Sequence, residues 1–135
     1  MADTILIVDD NESARRVTAH VLERHGFQVL TADDGPRALE LVATHAPACI
    51  LLDIMMPQMN GLEVLARLKE NPATAAIPVI LLTAKSQDQD VLTGYKEGAE
   101  YYITKPCLTH ELLYGINLVL GRDTDLSSSE RDDSR

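Results

Sequence analysis

Five short apolar runs divide this chain, and each is followed by a stretch with helical spacing. The runs are "TILIV" (4–8), "QVLTA" (28–32), "ACILL" (48–52), "PVILL" (78–82) and "YYIT" (101–104). Four of them are rich in Val, Ile and Leu with little alternation, the pattern of strands buried on both faces of a parallel sheet. Residues 12–25 set Ala14, Val17, Val21 and Leu22 on one helical face. Residues 36–45 open on Pro36, suited to a first helical turn, and present Ala38, Leu39 and Val42. Residues 61–70 present Leu62, Leu65 and Leu68 and stop before Asn71–Pro72. Residues 87–97 follow Ser86, which forms a capping box with Gln89, and stop at Gly98. Residues 109–120 take Thr109 as their cap and stop at Gly121. Strict β-α alternation, five times over, predicts an α/β fold: a doubly wound (βα)5 three-layer sandwich around a five-stranded parallel sheet. Right-handed crossovers then place helices on both faces.

A chain of 135 residues suffices for one domain with one sizeable core. Residues 3–121 carry the alternation. The polar segment "RDTDLSSSERDDSR" (122–135) has one Leu and reads as a disordered tail or a truncated linker. The net charge of −9 argues against direct nucleic-acid binding, which needs cations to neutralise phosphates, and is compatible with a cation site. No apolar run approaches the ~20 residues that span a bilayer. The start "MADTILIVDD" lacks the basic region of a secretory signal, so a cytoplasmic location with no membrane contact is expected. Cys49 and Cys107 lie far apart in sequence; Cys49, inside an apolar run, reads as a buried thiol, and a disulfide is not expected. His20, His25, His45 and His110 are dispersed and read as surface residues, and Met55, Met56 and Met59 as a loop packed on the sheet edge.

In a doubly wound fold, ligands bind beyond the carboxyl ends of the strands. Asp9 and Asp10 follow the first run, Asp53 the third, Thr83 and Ala84 the fourth, and Thr104, Lys105 and Pro106 the fifth. If the first and third strands are neighbours, three carboxylates converge and repel. A hard divalent cation relieves that repulsion, with Mg2+ favoured and Mn2+ as the alternative. Lys105 adds a point charge and Thr83 a hydroxyl, both suited to a phosphoryl group. Asp53 then stands where a carboxylate can act as a nucleophile.

The segments "ILIVDDNESARR", "LLDIMMPQMNGLEVL", "PVILLTAK" and "GAEYYITKP", in this order and at these separations, resemble the receiver domain of bacterial two-component response regulators over residues 3–121. The stand-alone chemotaxis regulator is one of that family. The resemblance implies the flavodoxin-like strand order 2-1-3-4-5. It implies that Asp53 accepts a phosphoryl group from a histidine kinase or phosphotransfer protein. It further implies that Asp10 binds Mg2+ directly, Asp9 mainly through water, and that Asp53 and the Met55 backbone carbonyl complete the protein ligands. Lys105 would hold a phosphoryl oxygen, before a cis bond to Pro106, and small Ala84 would leave room for the phosphoryl group. Thr83 and Tyr102 match the family's switch pair, in which the tyrosine turns inward. Met55 and Lys85 occupy positions that tune acyl-phosphate hydrolysis; an apolar Met55 cannot orient an attacking water, which predicts a phosphorylated form of moderate to long life. The family usually has Phe where this chain has Cys107, a change that loosens that corner or reshapes a partner surface if it is not neutral.

The resemblance implies a switch that signals through an unidentified protein target, with a phosphorylation-dependent homodimer as one form. Residues 87–97 have few apolar positions and carry Gly94, which costs about 1 kcal/mol against Ala, so this helix is the expected mobile element. Tyr114 and Leu118, left off the main face of the last helix, form with Tyr95 an expected partner patch. Two other functions compete. One is a pseudo-receiver that binds without phosphorylation, against which the full set Asp9, Asp10, Asp53, Thr83 and Lys105 argues. The other is an enzyme of the haloacid-dehalogenase phosphatase type, whose D-x-D arrangement needs an acid where this chain has Met55. A non-enzymatic switch is therefore expected.

Overall fold

The computed structural model describes residues 3–56, 59–83 and 93–122. Its strands are β1 (Thr4–Val8), β2 (Gln28–Ala32), β3 (Cys49–Asp53), β4 (Val79–Thr83) and β5 (Tyr101–Thr104). Its helices are α1 (Glu12–Arg24), α2 (Gly35–His45), α3 (Gly61–Glu70), α4, described over 93–96, and α5 (Thr109–Val119). All strand pairs are parallel, in the order β2-β1-β3-β4-β5. The expected doubly wound sandwich and its strand order are both present.

The three central strands alternate between two cores. Leu6, Val8, Ile50, Leu52, Val79 and Leu81 face α2 and α3, whose Leu41, Val42, Val64, Leu65 and Leu68 close that side. Ile5, Ile7, Leu51, Ile80 and Leu82 face α1 and α5, closed by Leu22, Leu112 and Ile116. Because both faces are covered, Ile5–Val8, Cys49–Leu52 and Val79–Leu82 carry no charged or hydroxyl side chain, and Asp53 and Thr83 come only at the carboxyl ends of β3 and β4. Each fully buried Leu or Ile contributes about 1.5–3 kcal/mol of transfer free energy. Cys49 is fully buried, and burial pushes its thiol up to about 12. The four histidines are exposed.

Several boundaries and faces differ from expectation. β3 and β4 run one residue further than the apolar runs, so Asp53 and Thr83 are the last residues of their strands. The cap of α5 is Leu108, which makes no side-chain capping bond, and Thr109 is the first helical residue. On α1 the packed stripe is rotated. Leu22 is buried and Ala19 packs on the same core, whereas Val17 is 63% exposed. Arg15 lies on the Ala19–Leu22 side, and its guanidinium donates to the Asp9 carbonyl, 2.8 Å. A charged residue thus occupies an inward position by reaching a backbone oxygen with its tip. Gly94 is also not simply a weak point: a Cβ there would run into Leu81, so glycine lets α4 lie close against β4. The Ser86–Gln89 capping box, Val91, Leu92 and the tail 123–135 lie outside the described residues.

At the opposite end of the sheet from the acids, Lys69 ties α3 to the strands. Its ammonium donates to the carbonyls of Ala75 and Ile77 (2.9 and 3.1 Å) and meets Glu100 at 3.1 Å, while Glu100 accepts from the Val79 amide at 2.7 Å. Lys69→Met keeps the stem and removes all three ammonium contacts. A loss of about 1–3 kcal/mol in urea unfolding is expected, because two loop carbonyls lose their donor.

Candidate functional site

The carboxyl ends of β1, β3, β4 and β5 meet at one end of the sheet. β1 and β3 are neighbours, with Val8 opposite Leu52, so the residues that follow them converge. Asp9 and Asp53 are 3% and 4% exposed, while Asp10 is exposed. One carboxylate oxygen from each of the three lies within 4.8 Å of the others. The Lys105 ammonium bridges the two buried acids, 3.2 Å from Asp9 Oδ2 and 3.0 Å from Asp53 Oδ2. The cis Lys105–Pro106 bond is present, and the Lys105 amide donates to the Thr83 carbonyl at 2.7 Å, joining the ends of β4 and β5.

Backbone amides hold the remaining carboxylate oxygens. The Asn11 amide donates to Asp9 Oδ1 at 2.9 Å, and the Met55 amide to Asp53 Oδ1 at 3.1 Å. Each buried acid therefore has one oxygen on an amide and one on Lys105. Burial lifts the Asp53 carboxyl to about 6; the Lys105 ammonium opposes that rise, the charge of Asp9 adds to it, and the Met55 amide opposes it. Burial works against the Lys105 ammonium, but its hydrogen bond and charge attraction to Asp53, reinforced by Asp9, hold it above the usual lysine range. Two buried negative groups sharing one cation leave the site short of positive charge. Three converging hard oxygens fit a small divalent cation, with Asp9, Asp10 and Asp53 as the side chains able to hold it.

The other expected residues fall at several distances from this centre. Thr83 is buried at the end of β4. Tyr102, on the edge strand β5, is 38% exposed. The Met55 side chain is 58% exposed. Ala84 and Lys85 lie outside the described residues. Cys107 is half-buried, and burial pushes its thiol up to about 11. Together with Pro106, Ala14 and Val17 it borders a cavity of about 610 Å3 that reaches Asp9 and Lys105. Tyr95, Tyr114 and Leu118 are each 41–43% exposed. The Tyr95 ring lies against Tyr102 and the Tyr114 ring against Tyr101.

Residue-by-residue expectation missed Gly61. Its amide donates to the Ile54 carbonyl at 2.9 Å, and a Cβ there would run into the Asp53 carbonyl and stand 2.7 Å from Ile54 Cα. Only a residue without a side chain lets the start of α3 lie on the turn that follows Asp53. Asn60 caps that helix through its side chain, with Glu63 returning the bond to its backbone. The signal was the "NG" within "MPQMNG", followed two residues later by Glu63. Arg15 and the amides of Asn11 and Met55 were missed too; backbone donors leave no trace in residue type.

A family model described as the response regulator receiver domain matches residues 5–117. The transcriptional regulatory protein SrrA of Staphylococcus aureus is 39% identical over 132 residues, which cover 96% of this chain and 54% of that protein. The chain thus spans about half the length of the curated relatives it matches. Among solved structures, the N-terminal domain of a response regulator receiver protein from Methanoculleus marisnigri JR1 is 41% identical with a TM-score of 0.73, covering 91% of this chain and 100% of that one. The chemotaxis protein CheY4 of Vibrio cholerae is 28% identical with a TM-score of 0.83, covering 88% of this chain and 99% of that one.

Proposed function

Since this chain belongs to the response regulator receiver-domain family, we propose that it is a signalling switch in which Asp53 accepts a phosphoryl group. The observation that carries this reading is the Asp9–Asp10–Asp53 cluster, with Lys105 bridging its two buried members. Receiver domains take their phosphoryl group from histidine kinases, directly or through a phosphotransfer protein, and the same donor class is proposed here. A P–O bond forms at an Asp53 carboxylate oxygen as the donor's P–N bond breaks, and the P–N bonding pair leaves with the imidazole.

Each residue has a part in that transfer. The Met55 amide fixes one Asp53 oxygen and leaves the other, now on Lys105, to attack. Lys105 then passes from the carboxylate to a phosphoryl oxygen, with its charge already in place. Asp9, Asp10 and Asp53, with the Met55 carbonyl, would hold Mg2+, or Mn2+ in its stead. Such a cation supplies charge to offset that of the phosphoryl group. Thr83 and Ala84 would receive the remaining phosphoryl oxygens, and Thr83 with Tyr102 would carry the change to the surface. The Met55 side chain offers no base to an attacking water, which favours a long-lived adduct, with Lys85 as the second tuning position. We further propose that residues 3–121 form the receiver unit, that it acts in the cytoplasm, and that it signals to a protein target through changed contacts rather than by turnover of a substrate. No helix among the described residues is long and apolar enough to cross a membrane.

Intact mass after incubation with acetyl phosphate and Mg2+ tests the reading. One added phosphoryl group is expected on the wild type and none on Asp53→Asn, with the adduct outlasting a time course of minutes. A folded, metal-bound wild type that takes up nothing would overturn it in favour of a constitutive binding module. Loss of the group within seconds would overturn the part given to Met55 alone.

A further inference from the structure

All four tyrosines of the chain stand in one connected row. Tyr95 on α4 meets Tyr102 edge to face, with ring centroids 5.8 Å apart and planes at 79°. Tyr102 lies 6.4 Å from Tyr101, and Tyr101 lies 6.4 Å from Tyr114 on α5. Successive strand residues point to opposite faces, so β5 sends Tyr101 toward the α5 side and Tyr102 toward the side that holds Leu81 and Ala99. Tyr101 packs on its core, whereas Tyr102 is exposed. On the edge strand β5 Tyr102 is more than a third exposed, and its ring lies near that of Tyr101 and is met from α4 by Tyr95.

An outward aromatic ring on an edge strand gains little from burial, so a neighbouring ring decides much of its rotamer balance. An edge-to-face aromatic pair of this geometry shifts a two-state balance by about 2- to 10-fold beyond what its buried area does. Among the described residues, Tyr95 is the ring that approaches Tyr102 from α4, and Tyr102 is the one ring that Tyr95 contacts. We infer that Tyr95 is a positioning residue that holds Tyr102 in its outward rotamer and so sets the resting balance of the switch. This rests on the switch role proposed above for Thr83 and Tyr102. Tyr95 does not touch the acid cluster and acts through Tyr102 alone. By linkage, whatever favours the outward ring opposes phosphorylation by the same factor, so removing the Tyr95 ring makes the phosphorylated state easier to reach.

The test uses the full chain labelled with 3-fluorotyrosine, the four fluorine resonances being assigned by single Tyr→Phe changes. Wild type, Tyr95→Leu and Tyr95→Phe are compared before and after acetyl phosphate with Mg2+, alongside the adduct fraction by intact mass at limiting donor. In unphosphorylated Tyr95→Leu, the Tyr102 signal is expected to move toward its position in phosphorylated wild type. The ratio of adduct to free protein should rise about 2- to 10-fold. Tyr95→Phe keeps the ring and should follow the wild type in both readouts. A merely structural role would lower the melting temperature of Tyr95→Leu without raising its adduct fraction, and that result overturns the inference. So does a Tyr95→Phe variant that behaves like Tyr95→Leu. Absence of an adduct on the wild type overturns the proposed function itself, whereas a wild-type adduct indifferent to Tyr95 overturns only the part given to Tyr95.

Discussion

Gly61→Ala should lose about 2–4 kcal/mol of stability in urea unfolding and most of its capacity to take a phosphoryl group at Asp53. In an ordinary helix the same change is stabilising by up to about 1 kcal/mol, because alanine has the better helix propensity. Here the sign reverses. The added methyl would run into the Asp53 carbonyl, and Ile54 Cα stands 2.7 Å from it. Both neighbours are backbone, so no rotamer change relieves the clash. Either α3 lifts from the sheet, opening the core around Val64 and Leu65, or the turn after Asp53 gives way. The second route moves the Met55 amide off Asp53 Oδ1 and changes the aim of the carboxylate. Denaturation midpoints and intact mass at fixed donor measure the two losses separately. A Gly61→Ala protein with wild-type stability would show that α3 can stand off without cost and that the close approach is not required.

Gly61 marks the boundary between what could be read from residue types and what could not. A strand buried on both faces is apolar along its middle, so β1, β3 and β4 stand out as apolar runs, and an acid directly after such a run is conspicuous. Asp9 and Asp53 were legible for that reason, and the alternation with helical spacing led to the doubly wound sheet. A close approach depends on where another element lies, and Gly61 has no side chain to announce it. The rotation of α1 has a similar origin. Ala14, Val17 and Val21 make a plausible apolar stripe, but the helix turns so that Arg15 reaches the Asp9 carbonyl. Hydropathy scores that arginine as outward, although its tip alone needs a polar partner. The resemblance singles out Tyr102 as one of a switch pair, but its contact with Tyr95 depends on how α4 lies against β4, which Gly94 permits and residue order does not reveal.

Lys105→Met should give a protein whose stability deficit depends on pH. The substitution keeps the stem of the side chain and removes the cation that bridges Asp9 and Asp53. In the wild type the Asp53 carboxyl already titrates at about 6, raised by burial against the pull of Lys105. An acid raised on folding binds more protons in the folded chain than in the unfolded one between its ordinary pKa, about 4, and its folded value. Stability therefore falls as pH rises through that window and levels off above it. Without Lys105 the upper end of the window moves beyond 6, so the variant keeps losing stability through neutrality after the wild type has levelled off. At pH 4 Asp53 is protonated in both folded proteins and the gap should shrink to what the lost Asp9 contact contributes; at pH 7.5 it should be wider, about 1–3 kcal/mol, less than for a fully buried pair because Lys105 is partly in water. Mg2+ at millimolar concentration should narrow the gap at pH 7.5, because a cation held by the three acids replaces the missing charge. Thermal unfolding of both proteins from pH 4 to 8, with and without Mg2+, reads all of this in one series. A deficit that is constant across the range would mean that the loss does not come through the charge on Asp53.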